Sequence, residues 1–104
     1  MAYKISIGKK ANLEWKEAFE WYANISPKNG LKFHSAGLGR LEEIAETPHL
    51  FGHVRNRRRY RRAKIKRFPY QIVFRIDETS QQVIILSIFH EKRNPSSLMK
   101  RLRK

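Results

Sequence analysis

Near the C-terminal end, the run Val83-Ile84-Ile85-Leu86-Ser87-Ile88-Phe89 dictates what the rest of the chain must build. Successive side chains of an extended strand point to opposite faces. Val83, Ile85 and Phe89 would therefore point one way, and Ile84, Leu86 and Ile88 the other. A strand apolar on both sides belongs in the centre of a sheet that is covered on both faces. The upstream residues must supply neighbouring strands and at least one covering layer.

They supply both. Tyr3-Lys4-Ile5-Ser6-Ile7 alternates apolar and polar and stops at Gly8, the pattern of a half-buried first strand. From about Lys10 to Ile25, Ala11, Trp15, Ala18, Phe19, Tyr22 and Ile25 recur at steps of three and four, which predicts an amphipathic helix. The Trp15, Trp21 and Tyr22 group is assigned to packing. Ser26-Pro27 reads as an N-cap followed by proline in the first turn, and opens a second helix through Leu31, Leu38, Leu41 and Ala45 to Pro48. Gly37 and Gly39 inside it each cost about 1 kcal/mol relative to alanine, so both predict close helix–helix approach. After Pro48 the periodicity changes to strands: a short one near Val54, then Tyr60–Arg67, Tyr70–Asp77 and Val83–His90. Phe68-Pro69 connects the second and third of these, and Asp77-Glu78-Thr79-Ser80 turns into the last. The expected fold is α+β and a single domain over residues 1–104: an N-terminal strand, an antiparallel helical hairpin, a mainly antiparallel sheet, and a short C-terminal tail or helix. One hairpin covers one face. The other needs the C-terminal segment, a second copy or a partner.

Charge divides the chain differently. Residues 1–54 carry seven Lys and Arg against six Glu, whereas residues 55–104 carry sixteen against Asp77, Glu78 and Glu91. The second half therefore suits a polyanion or an acidic partner protein. The longest apolar run is far short of the roughly 20 residues of a membrane span, and the start shows no secretory pattern, so a cytoplasmic protein is the simplest reading. The absence of Cys excludes disulfides and thiol chemistry. His34, His49, His53 and His90 have no metal-binding spacing, so neither metal nor cofactor is expected.

Three groups of residues are candidates for a site. Arg55-Asn56-Arg57-Arg58-Arg59-Tyr60-Arg61-Arg62 continues through Lys64, Lys66 and Arg67. Alternation places Arg62, Lys64 and Lys66 on one face, with Ala63 and Ile65 in the core. This is either a phosphate-contacting surface or a solvated edge that resists aggregation, and it holds more charge than an edge needs. In His90-Glu91-Lys92-Arg93-Asn94-Pro95, His90 beside Arg93 and Arg67 suits a general acid or base for phosphodiester cleavage. The plainer alternative has His90 bonded to backbone and Arg93 pinning the turn before Pro95. Tyr60, Tyr70 and Phe68 are placed either to stack on bases or to fill the core.

Together, Tyr60-Arg61-Arg62, Arg67-Phe68-Pro69-Tyr70-Gln71-Ile72-Val73-Phe74 and Ile88-Phe89-His90-Glu91-Lys92-Arg93-Asn94-Pro95, in this order of elements, resemble the RelE/ParE superfamily of bacterial toxins over nearly the whole chain. The resemblance implies the toxin of a type II toxin–antitoxin pair. Its partners would be a cognate antitoxin and a cellular target, as a homodimer or a hetero-oligomer with the antitoxin. RelE-like members cleave mRNA on the ribosome, which here would use His90, Arg62, Arg67 and Arg93. ParE-like members poison DNA gyrase, for which Arg57, Arg58, Arg59, Arg61, Lys64, Lys66, Tyr70 and Lys92 would form the target-binding surface. The His-x-x-Arg-x-Pro ending, and a tail in which Leu98 stands where many relatives have an aromatic, are closer to the ParE-like branch. Charge alone would also fit a non-toxic nucleic-acid-binding module.

Overall fold

The computed structural model describes residues 2–92. The order of elements is β1 (Lys4–Ile7), α1 (Lys9–Ile25), α2 (Pro27–Glu46), a 3-10 turn (Pro48–Leu50), β2 (His53–Val54), β3 (Arg57–Lys64), β4 (Tyr70–Asp77) and β5 (Gln82–His90). The strands form one sheet in the order β1-β5-β4-β3-β2. Only the β1–β5 pairing is parallel. The apolar β5 is interior as expected, although β4 holds the middle place.

Local chemistry accounts for the ends of these elements. Ser26 caps α2, its hydroxyl accepting from the Asn29 amide at 3.4 Å, and Pro27 occupies the first turn, where no amide is needed. The last hairpin is closed by Asp77, whose carboxylate accepts from the Thr79 and Ser80 amides at 3.1 and 3.3 Å. Those bonds, with the Ser80 hydroxyl bond first among the causes, hold Asp77 below the ordinary carboxylate range. The third strand runs over Arg57–Lys64 instead of Tyr60–Arg67. It begins early because Val54 pairs with Arg57 across the Arg55-Asn56 turn. It ends early because Arg67 adopts a left-handed φ of 72°.

Both helices lie on one face of the sheet, α1 over β5 and α2 over β1 and β3. Phe33, Leu41 and Ile44 meet Ala63, Ile65, Ile72, Phe74, Val83, Ile85 and Ile88 there. The opposite face has a smaller cluster of Val54, Tyr60 and Val73 with Leu86 and Phe89. Ile88 and Phe89 thus sit on the reverse of the faces that simple alternation assigns. Val73 pairs with Ser87 and Phe74 with Ile85, so β5 contains one extra residue, and this bulge inverts the alternation beyond it. Trp21 also departs from expectation: it is 64% exposed, because α1 turns its Trp15 and Tyr22 side toward α2.

The two glycines of α2 expected to mark close approach separate cleanly. A Cβ at Gly37 would lie 2.0 Å from the Trp15 ring, so the helices approach closely there. A Cβ at Gly39 would meet nothing within 4 Å, which removes the packing role expected for it. Gly30, 2.8 Å from the Ala23 Cβ by the same construction, is the second true point of approach. Gly39→Ala is therefore expected to stabilise the fold by about 0.5–1 kcal/mol through helix propensity. Gly37→Ala must displace the indole, and is expected to destabilise by about 1–3 kcal/mol. Paired urea melts check both signs.

Candidate target-binding surface

The basic run folds as the β2–β3 hairpin. Asn56 at the turn takes a φ of 62°, a conformation that Asn adopts more easily than most residues. The Arg57 guanidinium donates to the Asn56 carbonyl at 3.2 Å. Arg55, Arg58, Arg59 and Arg62 are exposed, and none forms an ion pair with an acidic group among the described residues. Arg61 differs. It donates to the His49 and Phe51 carbonyls at 3.2 and 2.6 Å, which holds the 3-10 turn against the sheet. Its Nη1 is thus used on the protein's own backbone.

Cross-strand pairing sorts the remaining candidates. Ala63 and Ile65 are buried against the helices as alternation requires. Arg62 pairs with Val73, and Lys64 with Gln71 and through it with Phe89, so both basic side chains are on the face away from the helices. Glu91 joins them there, bonded to Gln71 at 2.8 Å and 3.8 Å from the Lys64 ammonium. Lys66 lies 3.5 Å from Glu43 on α2. Arg67 stands exposed on the β3–β4 connection, and Lys92 is exposed after β5.

His90 is on the other side. It pairs with Tyr70, and their rings meet edge to face at 5.2 Å. Tyr70 in turn meets Phe33 at 5.3 Å and Tyr22 at 6.2 Å, within the aromatic cluster under the helices. The Lys92 amide donates to His90 Nδ1 at 3.1 Å. An amide can only donate, so in the neutral ring the proton is on Nε2. Of the four residues considered for cleavage, the fold therefore separates His90 from Arg62 by the thickness of the sheet and puts Arg67 on a connecting loop. Arg93 lies outside the described residues, as does the expected tail. Tyr60 is core on the outer face, and Tyr70 is half-buried.

Two polar groupings had escaped sequence reasoning. Glu14, buried on α1, accepts from the Ser87 hydroxyl and the Ile88 amide, both at 3.1 Å, at the bulge of β5. Its position, three residues after Ala11 and four before Ala18 on the apolar side of α1, was the available signal. At the far end of the sheet Glu78 accepts from the Tyr3 hydroxyl at 2.8 Å and lies 2.5 Å from His49 Nε2. The Tyr3 bond, then that of His49, hold Glu78 below the ordinary carboxylate range, and the same bond raises Tyr3. What Glu78 contributes is thus present at neutral pH and is lost as acid protonates it. Residues this far apart in sequence leave no local trace.

Two helices on one face of a β1-β5-β4-β3-β2 sheet form the RelE/ParE-like fold. A double mutant of the E. coli toxin RelE in the free state matches with a TM-score of 0.71 and 20% identity, covering 98% of this chain and 99% of that one. The chromosomal ParDE toxin–antitoxin system from P. aeruginosa matches with a TM-score of 0.73 and 18% identity, covering 86% and 96%. The toxin–antitoxin complex RelBE2 from Mycobacterium tuberculosis matches with a TM-score of 0.59 and 17% identity, covering 86% and 99%. At such identities these likenesses establish the fold. No curated protein matches the chain significantly. The family described as ParE toxin of type II toxin-antitoxin system, parDE, matches residues 5–95, and the chain belongs to it.

Proposed function

We propose that this toxin stops growth by binding DNA gyrase, without chemistry of its own, and that an antitoxin segment silences it. The observation that carries this reading is the sheet between His90 and the Arg62 and Lys64 side chains. General acid–base cleavage needs the proton-transfer group and the phosphate-binding cations within reach of one scissile bond. His90 Nδ1 is moreover engaged by the Lys92 amide. A binding surface requires only exposed charge, which the β2–β3 hairpin supplies. For the antitoxin, the outer face sets half-buried Ile84, Leu86 and Phe89 beside Arg62, Lys64 and Arg75. An apolar strip edged with cations suits an amphipathic acidic segment.

Two measurements test the reading. Purified toxin is expected to inhibit gyrase supercoiling, and His90→Ala is expected to retain growth arrest within about twofold, a change of under about 0.5 kcal/mol. Supercoiling that proceeds unimpeded at growth-arresting concentrations would remove gyrase as the target. Messenger cleavage on translating ribosomes, lost with His90→Ala, would establish the ribonuclease activity instead.

A further inference from the structure

We propose that the β2–β3 hairpin is a duplex-DNA contact, so that the toxin recognises the gyrase–DNA complex instead of gyrase alone; the second half of this rests on the gyrase reading above. Arg55, Arg58 and Arg59 are exposed on the β2–β3 hairpin at the edge of the sheet, and Arg62 is exposed on the same strand where β3 pairs with β4. The ion pairs formed among the described residues lie elsewhere: Arg40 and Lys66 with Glu43, His49 with Glu78, and Lys64 with Glu91. Four arginines concentrated in eight residues without counter-charge repel one another in the free protein. Phosphates relieve that repulsion and release counterions as they do so.

The shape of the site selects duplex DNA among the nucleic acids. Recognition of single strands and RNA loops depends on aromatic rings on which unpaired bases stack. The rings near this hairpin are already engaged. Tyr60 is 8% exposed in the outer cluster, while Phe68 and Tyr70 pack on Phe33 and Tyr22. A-form RNA has a deep, narrow major groove closed to side chains, whereas the B-DNA major groove, about 12 Å wide, admits a two-stranded ribbon. Arginine forks on such a ribbon reach phosphates on the groove walls.

The test uses the full chain and a duplex of about 20 base pairs, with fluorescence anisotropy from about 50 to 200 mM salt. Arg55, Arg58, Arg59 and Arg62 are replaced together by Gln. A control replaces Lys9, Lys10, Lys28 and Lys32 on the helical hairpin, which removes the same charge. Each phosphate contact contributes about 0.9 to the slope of log K against log salt. The arginine variant is expected to lose about 3–4 from that slope, and the lysine control less than about 1. Equal losses in the two variants, or none in the arginine variant, overturn the site. Tighter binding of an RNA duplex of equal length overturns the DNA assignment. Thermal melts verify folding, and the paired substitution Arg55→Glu with Arg58→Glu, both exposed, must lose at least about 2 from the slope if the larger variant melts early. In a second arm, gyrase binding by the unaltered toxin is measured with and without DNA. DNA is expected to tighten it by about tenfold, or about 1.4 kcal/mol. Equal binding overturns recognition of the complex, whereas no binding in either condition removes the gyrase reading and leaves the slope to decide the hairpin.

Discussion

Phe33→Ala is expected to lower the stability of this protein by about 3–5 kcal/mol, the usual cost of deleting a core aromatic. Phe33 is fully buried, and its ring contacts Trp15, Tyr22, Phe68 and Tyr70 at 5.0–5.3 Å. It is the point at which α1, α2 and the β3–β4 connection converge. Domains of this size retain about 5–15 kcal/mol in all, so the variant loses a large share of that. Urea unfolding is expected to show a lower midpoint with an unchanged slope. Phe33→Leu, which keeps much of the volume, loses clearly less. A loss below about 1 kcal/mol in the alanine variant would show that the aromatic cluster does not anchor the hairpin to the sheet. The same cluster supports Tyr70 and, through it, His90.

Glu14→Leu comes next, with an expected loss of about 2–4 kcal/mol. The substitution removes a buried acceptor from the Ile88 amide at the bulge, and an orphaned buried donor alone costs about 1–3 kcal/mol. The Ser87 hydroxyl loses the same partner. Ser87→Ala alone should cost less, and the two changes together less than their sum, since they delete one interaction twice. A double-mutant cycle by chemical denaturation reads this coupling. Strict additivity, or a Glu14→Leu variant as stable as the parent, would refute the role of the carboxylate in fixing the bulge. The prediction bears on function because the bulge sets the faces that Ile88, Phe89 and His90 occupy.

Much of the architecture was legible from local pattern. The steps of three and four from Ala11 to Tyr22, the Ser26-Pro27 start of α2 and the Asp77 turn all appear where expected, because periodicity and capping involve residues near one another in the chain. The candidate surface was legible in part. Charge counting located the basic half, and alternation correctly buried Ala63 and Ile65. It offered no means of distinguishing Arg61, which binds backbone carbonyls, from Arg58 and Arg59, which remain exposed. Trp21 and Gly39 were misread for a related reason: a helical period identifies a face, but the neighbouring element decides which residues on its margin are covered.

By itself the sequence determined the order of elements, the helical hairpin, the interior position of β5 and the place of the positive charge, since each follows from residue type and short-range spacing. Only the tertiary structure decided the sides. One inserted residue in β5 exchanges the faces of Ile88 and Phe89, and cross-strand register sets His90 under the helices with Arg62 and Lys64 opposite. A face is a property of paired strands, and pairing is determined by contacts between residues distant in the chain.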